Sequence, residues 1–394
     1  MGKIFSGENP SQLYLDALLA LLREGKERTP RGKKTKELRP VIFEYTNPRN
    51  RLTFLRGRRI NPFFQAAEAL WILAGRSDVP WLANYNKSIA QFSDDGQFFN
   101  APYGERLRYW GKNDARNFIF NPLDQLEDCY LKLKEDPDTR QAVAFIGDPR
   151  FDNYAYTNIQ KGKDIACNLN IKFKIEDGKL DISVDNRSND LHWGVFGANL
   201  VQFSTIQEVM ASWLGIGVGT YYQITDSLHV YLEDYGAKET DKILKGADID
   251  SVHIHNPHLS VSAPAFTFPN EPRMVLGFGE FESFLEQTFD LIDIYLHDDN
   301  LMSSEEGVPT VLSLIHNAPD PYFRNTLMSM AAYRSHRLGN SSGMIEALRL
   351  MVESQLKLSC LAFLYPSYKD SDAFSAVYDK EVYTPEMVSY IKGE

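Results

Sequence analysis

The chemistry most legible in this chain sits at one end of a β-hairpin. Leu169, Ile171, Phe173 and Ile175 alternate with polar residues, Glu176-Asp177-Gly178-Lys179 supplies a turn, and Leu180, Ile182 and Val184 alternate again. Period-two alternation on both sides of Asp-Gly predicts two antiparallel strands. With Asp177-Gly178 as the two-residue loop, Glu176 faces Lys179, and counting outward sets Cys167 opposite Ser188 and beside Arg187. A thiol held next to a guanidinium in a partly enclosed site has its pKa lowered, which exposes a thiolate nucleophile beside an anion site. The competing reading is a small apolar residue at a strand end. A Cys-dependent hydrolase would also need a His base close to Cys167, and the hairpin offers none.

Other elements must hold that hairpin. Ser11 to Glu24 reads as an amphipathic helix opened by a Ser cap, and Lys26 to Arg39 as a basic irregular loop, solvated or anion-binding. Val41 to Phe54 reads as strand, Pro62 to Gly75 as helix, Asn121 to Lys134 as helix, and Gln141 to Ile146 as a short buried strand. Phe203 to Leu214 is an apolar helix broken by Gly215, Gly217 and Gly219, with strand resuming at Thr220 to Thr225. His255 to Pro272 is a Pro- and aromatic-rich connection. Glu280 to His297, Pro319 to His336 and Ser341 to Leu364 carry helical apolar spacing. The five Trp, Trp193 among them, read as core or interface.

Charge narrows the partners. In 394 residues, 42 Lys+Arg stand against 53 Asp+Glu, a net −11, so the surface repels a polyanion. Duplex nucleic acid is not expected, whereas one small phosphate gathered by a few Arg is. A hydrophobic content of 43% excludes a disordered, collagenous or coiled-coil chain. Cys129, Cys167 and Cys360 are odd in number and far apart, which fits a reducing cytoplasm rather than a disulfide framework. No signal-peptide pattern or membrane-length apolar run is present, so no membrane partner is expected. His253, His255 and His258 alternate around a Pro turn without a visible supporting partner, and no metal is expected.

Several spaced motifs, in one order, resemble thymidylate synthase. They are Asp138-Thr139-Arg140, Ala166-Cys167-Asn168, Asn186-Arg187-Ser188-Asn189-Asp190, Gly194 to Asn199 and Asp226-Ser227-Leu228-His229-Val230-Tyr231, with Glu68 to Gly75 and Ala101-Pro102-Tyr103-Gly104 upstream. The resemblance covers roughly Arg31 to Tyr235. It implies an α/β (α+β) fold, a mixed sheet with packed helices, with a catalytic portion at 1–275 and an added helical extension at 276–394. It further implies a homodimer acting on a pyrimidine nucleoside monophosphate with 5,10-methylenetetrahydrofolate as co-substrate.

The resemblance also assigns roles. Cys167 would attack C6 of the base; Arg31, Arg187 and Ser188 would hold the 5′-phosphate, with Arg140 reaching the partner's. His229 and Tyr231 would bind the sugar, Asn199 the base edge; Glu68 and Tyr103 would manage protons, and Asp190 and Phe92 would meet the folate. Departures select a subclass. Gln141 stands where a second Arg is usual and Asn168 where His is, one residue is inserted between Arg187 and Asn199 and another between Asp226 and His229. Ser88 to Asp94 holds Phe92 and no Trp where the family has two, and the closing C-terminal tail has no counterpart. Without those rings, water can reach the one-carbon unit before hydride does. The expected activity is therefore dUMP 5-hydroxymethylation. The alternatives are thymidylate synthesis, then dCMP or CMP hydroxymethylation, then a non-catalytic nucleotide- or RNA-binding relative.

Overall fold

Ten strands form among the described residues. They are β1 (Lys3–Gly7), β2 (Lys26–Arg28), β3 (Thr35–Leu38), β4 (Val41–Tyr45), β5 (Val143–Phe145), β6 (Asn168–Glu176), β7 (Lys179–Asn186), β8 (Asn189–Asp190), β9 (Gly217–Thr225) and β10 (Leu228–Tyr231). The computed structural model describes residues 2–112, 122–152, 162–250, 254, 256 and 261–394. Contacts divide the chain into two compact units, Met1–Arg51 with Glu68–Gly236, and Leu52–Ala67 with Ala237–Glu394.

In the first unit a six-stranded mixed sheet runs β1-β4-β9-β7-β6-β5 and a four-stranded one runs β2-β3-β10-β8. The predicted hairpin is β6–β7. Glu176 pairs with Lys179, and Asp177 (φ 50°) and Gly178 (φ 71°) form the two-residue turn, which needs positive φ at both positions. The pairing slips between Asn168 and Asn170, where Leu169 is the extra residue of a β-bulge. Two backbone donors, the N–H groups of Ile146 (2.8 Å) and Gly147 (2.9 Å), converge on the Leu169 carbonyl. The bulge corrects the counted register by one: Cys167 lies opposite Arg187, whose N–H donates to the Cys167 carbonyl at 3.0 Å, and not opposite Ser188.

Helix Leu200–Leu214 packs on β7 and β9 and is buried along nearly its whole length; the Gln207 amide donates to the carbonyls of Leu180 and Thr220 on those strands. Segment Leu191–Asn199 before it is a π-helix, capped by the Asp190 side chain accepting from the Trp193 N–H at 2.6 Å.

Several boundaries differ from the sequence expectation. The first helix is Pro10–Glu24, capped by Asn9 rather than Ser11. Half of the basic stretch is strand, β2 and β3, with a turn at Pro30–Gly32 between them. Strand β4 stops at Tyr45. β5 is an edge strand with Phe145 exposed, so it is only half buried. The helix expected from Asn121 is Gln125–Glu135, capped by Asp124; Asn121 itself lies outside the described residues.

The second unit is helical. The run expected to be one helix from Ser341 to Leu364 is two, Ser341–Leu350 and Gln355–Tyr368. Ser354 caps the second of these, and Asn325 holds the break by accepting from the Val352 N–H and donating to the Ser354 hydroxyl. Among the described residues no helix is long and apolar enough to cross a membrane.

The first unit also contains a buried ionic cluster in which Glu208, 2% exposed, accepts from Arg49 (Nε, 2.9 Å) and Arg51. Burial pushes its carboxyl up, and Arg51 and Arg49 more than reverse this, leaving it below the ordinary range. Removing one partner strands the others. Glu208→Ala should cost about 3–5 kcal/mol in urea unfolding at pH 7. The gap should narrow as pH falls through the depressed Glu208 value, because protonation removes the same interaction from the native protein.

Candidate active site

Cys167 is half-buried at the head of β6, one residue before the paired strand begins. Its neighbour Arg187 is spread over three acceptors: Nε donates to the Ala166 carbonyl (2.8 Å), and Nη2 to the Ile165 carbonyl (3.0 Å) and the Cys167 Sγ (3.5 Å). This bears directly on the thiol. Burial pushes the Cys167 pKa up, and Arg187 and Arg31 oppose it while Asp164 and Asp152 reinforce it; the balance stays above the ordinary thiol value. The expected thiolate beside Arg187 is therefore corrected to a thiol in the free protein, because desolvation outweighs a guanidinium already engaged with two carbonyls.

Arg31, exposed in the turn between β2 and β3, acts electrostatically on that thiol and adopts φ 51°, a left-handed conformation uncommon for a non-glycine residue. Ser188 is half-buried beside Arg187. Tyr103, at the start of helix Tyr103–Arg108, hydrogen-bonds both the side chain and the backbone of Asn168, next in chain to the thiol.

Four carboxamides form the floor. Asn199 donates to Asn168 (3.3 Å) and Asn189 (3.3 Å) and accepts from Asn168 (3.3 Å), while Asn186 donates to Asn168. All four are at least nine-tenths buried. Asn189 lies so close to Gly194 that a Cβ there would sit 1.9 Å from Asn189 Oδ1, so only glycine admits this packing. In the second sheet β10 runs parallel to β8 with His229 in register with Asp190. The His229 and Tyr231 rings lie edge to face with centroids 5.3 Å apart, both half-buried.

Glu68, on helix Pro62–Leu73, accepts from Gln202 Nε2 at 2.7 Å. Burial pushes its carboxyl up to about 7, against the lowering effect of Gln202. Phe92 (39% exposed) and Trp193 (36% exposed) pair at 5.9 Å between centroids.

The thymidylate synthase family model matches residues 12–291. The chain is 50% identical over 393 residues, 99% of each chain, to the deoxyuridylate hydroxymethyltransferase of Bacillus phage SP01. It is 38% identical to the protein of the same name from Pseudomonas phage M6, over 59% of this chain and 62% of that one. It is 31% identical to a putative thymidylate synthase of Methanosarcina acetivorans, over 43% and 70%. The chain belongs to the thymidylate synthase family.

Set against the thymidylate synthase pattern, the residue inserted between Arg187 and Asn199 falls in the stretch that includes the π-helix Leu191–Asn199, whose wider turn takes up one extra residue. Asn199 is thereby kept beside Asn168. Trp193, read from sequence as core or interface, is partly exposed and pairs with Phe92, so an aromatic pair includes Phe92 although the usual Trp are missing. Its position three residues after Asp190, in the segment that Asp190 caps, was the usable signal. Gln202 was also missed; it lies three residues after Asn199, on the same helix face.

Arg140 is not gathered with these residues: it is exposed and makes no ion pair with the described residues. His253, His255 and His258 lie outside the described residues.

Two titrations follow. Cys129 and Cys360 are buried, burial pushing the first thiol up to about 12 and the second well above its ordinary value, so Cys167 should be the thiol that iodoacetamide reaches. Its alkylation rate should rise through an inflection above pH 9, moving further up in Arg187→Leu, as followed by peptide mass analysis. For Glu68 the folded value exceeds the unfolded one, so the native state loses stability as pH rises from about 4.5 to about 7. Glu68→Gln should therefore gain stability relative to the parent between pH 5 and pH 8, by at most about 3 kcal/mol in urea unfolding.

Proposed function

We propose that the protein is a deoxyuridylate hydroxymethyltransferase, which places a one-carbon unit on C5 of dUMP and completes it with water. The observation that carries this reading is the 50% identity, across 99% of both chains, to the phage SP01 enzyme of that name.

In this reading Cys167 adds to C6 of the uracil, making C5 nucleophilic. Because burial keeps the thiol protonated in the free protein, addition requires that proton to leave as substrate binds. Arg187, Arg31 and Ser188 bind the 5′-phosphate; the guanidinium fork suits a tetrahedral anion, and Arg187 has donors to redirect from the carbonyls it now holds. We assign Arg140 to the phosphate of a second copy in a homodimer, a role its exposure and lack of an ion pair with described residues support. His229 and Tyr231 offer polar edges to the sugar, and the Asn199 carboxamide can both donate and accept, matching O4 and N3–H of uracil. Glu68, with a carboxyl near 7, can both take and return a proton, aided by Tyr103.

The residues present fit a planar heteroaromatic co-substrate: Phe92 and Trp193 are partly exposed, and Asp190 adjoins Trp193 through a backbone hydrogen bond. When bound, 5,10-methylenetetrahydrofolate supplies carbon at the oxidation level of formaldehyde. We place this chemistry in the 1–275 portion and in a reducing cytoplasm, where three unpaired cysteines persist, and take 276–394 as a helical extension.

Incubated with dUMP and the folate, the protein should yield a nucleotide whose mass identifies a hydroxymethyl group, without the absorbance of dihydrofolate. Cys167→Ala should abolish exchange of the C5 hydrogen with solvent. A methylated product accompanied by dihydrofolate would overturn the assignment in favour of thymidylate synthesis.

A further inference from the structure

Gln202 differs from the other buried glutamines beside it. Gln125 uses both ends of its carboxamide on backbone groups, and Gln207 ties helix Leu200–Leu214 to the sheet. Gln202, 5% exposed, instead spends its amide on a titratable carboxyl, Glu68 Oε2 at 2.7 Å; its Oε1, like that of Gln207, is buried with no hydrogen-bond partner among the described residues, but it alone of the two lies beside a group that can change protonation state. An acceptor left empty in the interior is costly unless another state fills it. The group within reach that can change from acceptor to donor is Glu68 itself: ionised it only accepts, protonated it carries an O–H.

We propose that Gln202 is a positioning residue for Glu68 that serves both of its protonation states, donating through Nε2 to the carboxylate and, with the carboxamide turned over, accepting the carboxylic O–H through Oε1. This rests on the reading of Glu68 as the proton-transfer group. It gives the empty acceptor a use in the reaction. As water attacks the methylene carbon on C5, its oxygen–carbon bond forms and its proton passes to the Glu68 carboxylate. The displaced electron pair moves to O4 and returns to expel Cys167 from C6 as thiolate. Glu68 is then an acid, and the turned carboxamide holds it in place until the proton passes to solvent. The bond to the carboxylate is charge-assisted and stronger than the bond to the neutral acid, so Gln202 lowers the value that burial raises, and losing it moves Glu68 further up.

Gln202→Met keeps the side-chain length and removes both polar ends. Hydroxymethylation at pH 7 should fall about tenfold in kcat, and the acidic limb of the kcat–pH profile should move up by about one pH unit. Folate-independent debromination of 5-bromo-dUMP, run with added dithiothreitol, which takes up the bromine and is oxidised to its disulfide while C5 gains a proton, needs Cys167 and the nucleotide site and should stay within about twofold. A limb that does not move overturns the proposal while leaving Glu68 as the base. A Glu68→Gln protein that retains the parent's rate overturns the reading on which the proposal rests.

Should the Met variant fail to fold, the parent protein labelled with side-chain 15N glutamine supplies the test. One carboxamide resonance should titrate with the midpoint of the kcat limb, and that titration should vanish in Glu68→Gln. The absence of any such resonance overturns the proposal.

Discussion

One backbone constraint sets the site: the register of β6 on β7, counted from the Asp177-Gly178 turn and displaced by the bulge at Leu169. Without the extra residue, Cys167 would face Ser188, and Arg187 would lie diagonal to it. With it, the Arg187 N–H closes on the Cys167 carbonyl and the guanidinium folds over the carbonyls of Ile165 and Ala166 to within 3.5 Å of the sulfur. The bulge is anchored by two N–H groups at the end of β5, so thiol placement depends on an edge strand as well as on the hairpin.

Desolvation is the second determinant, and it acts alike on both reactive groups. It raises the Cys167 thiol despite two cations nearby, and it lifts Glu68 to about 7 despite a hydrogen bond from Gln202. In the free enzyme both groups thus favour their neutral forms, a nucleophile not yet released and a carboxyl poised close to neutrality. Arg187 and Arg31 are the cations that act on the thiol against this burial.

Much of this was legible in the sequence, for identifiable reasons. The hairpin turn, helix Pro62–Leu73 and the apolar helix before Gly215 follow from local periodicity and turn chemistry, and the motif order carried the family. The bulge could not be counted, because alternation on the two strands does not reveal one residue left unpaired. The sign of the Cys167 shift was missed because residue types show a neighbouring charge but not the depth at which it acts. Gln202 reads alone as ordinary helix filler and Trp193 as one core or interface ring among five; only packing sets one against Glu68 and the other against Phe92. Segment Leu52–Ala67 grouped with the distant C-terminal helices has no local signal at all.

The π-helix at Leu191–Asn199 has a rotational consequence. In an α-helix one added residue would turn everything beyond it by about 100°; the wider π turn absorbs that rotation, so the residues beyond it keep their direction. Helix Leu200–Leu214 begins directly after this segment, so its azimuth about its own axis depends on the π turn upstream as well as on its own apolar pattern. That single angular setting aims Asn199 and Gln202 together. The two carboxamides therefore share one mechanical origin, and neither can be re-aimed without the other.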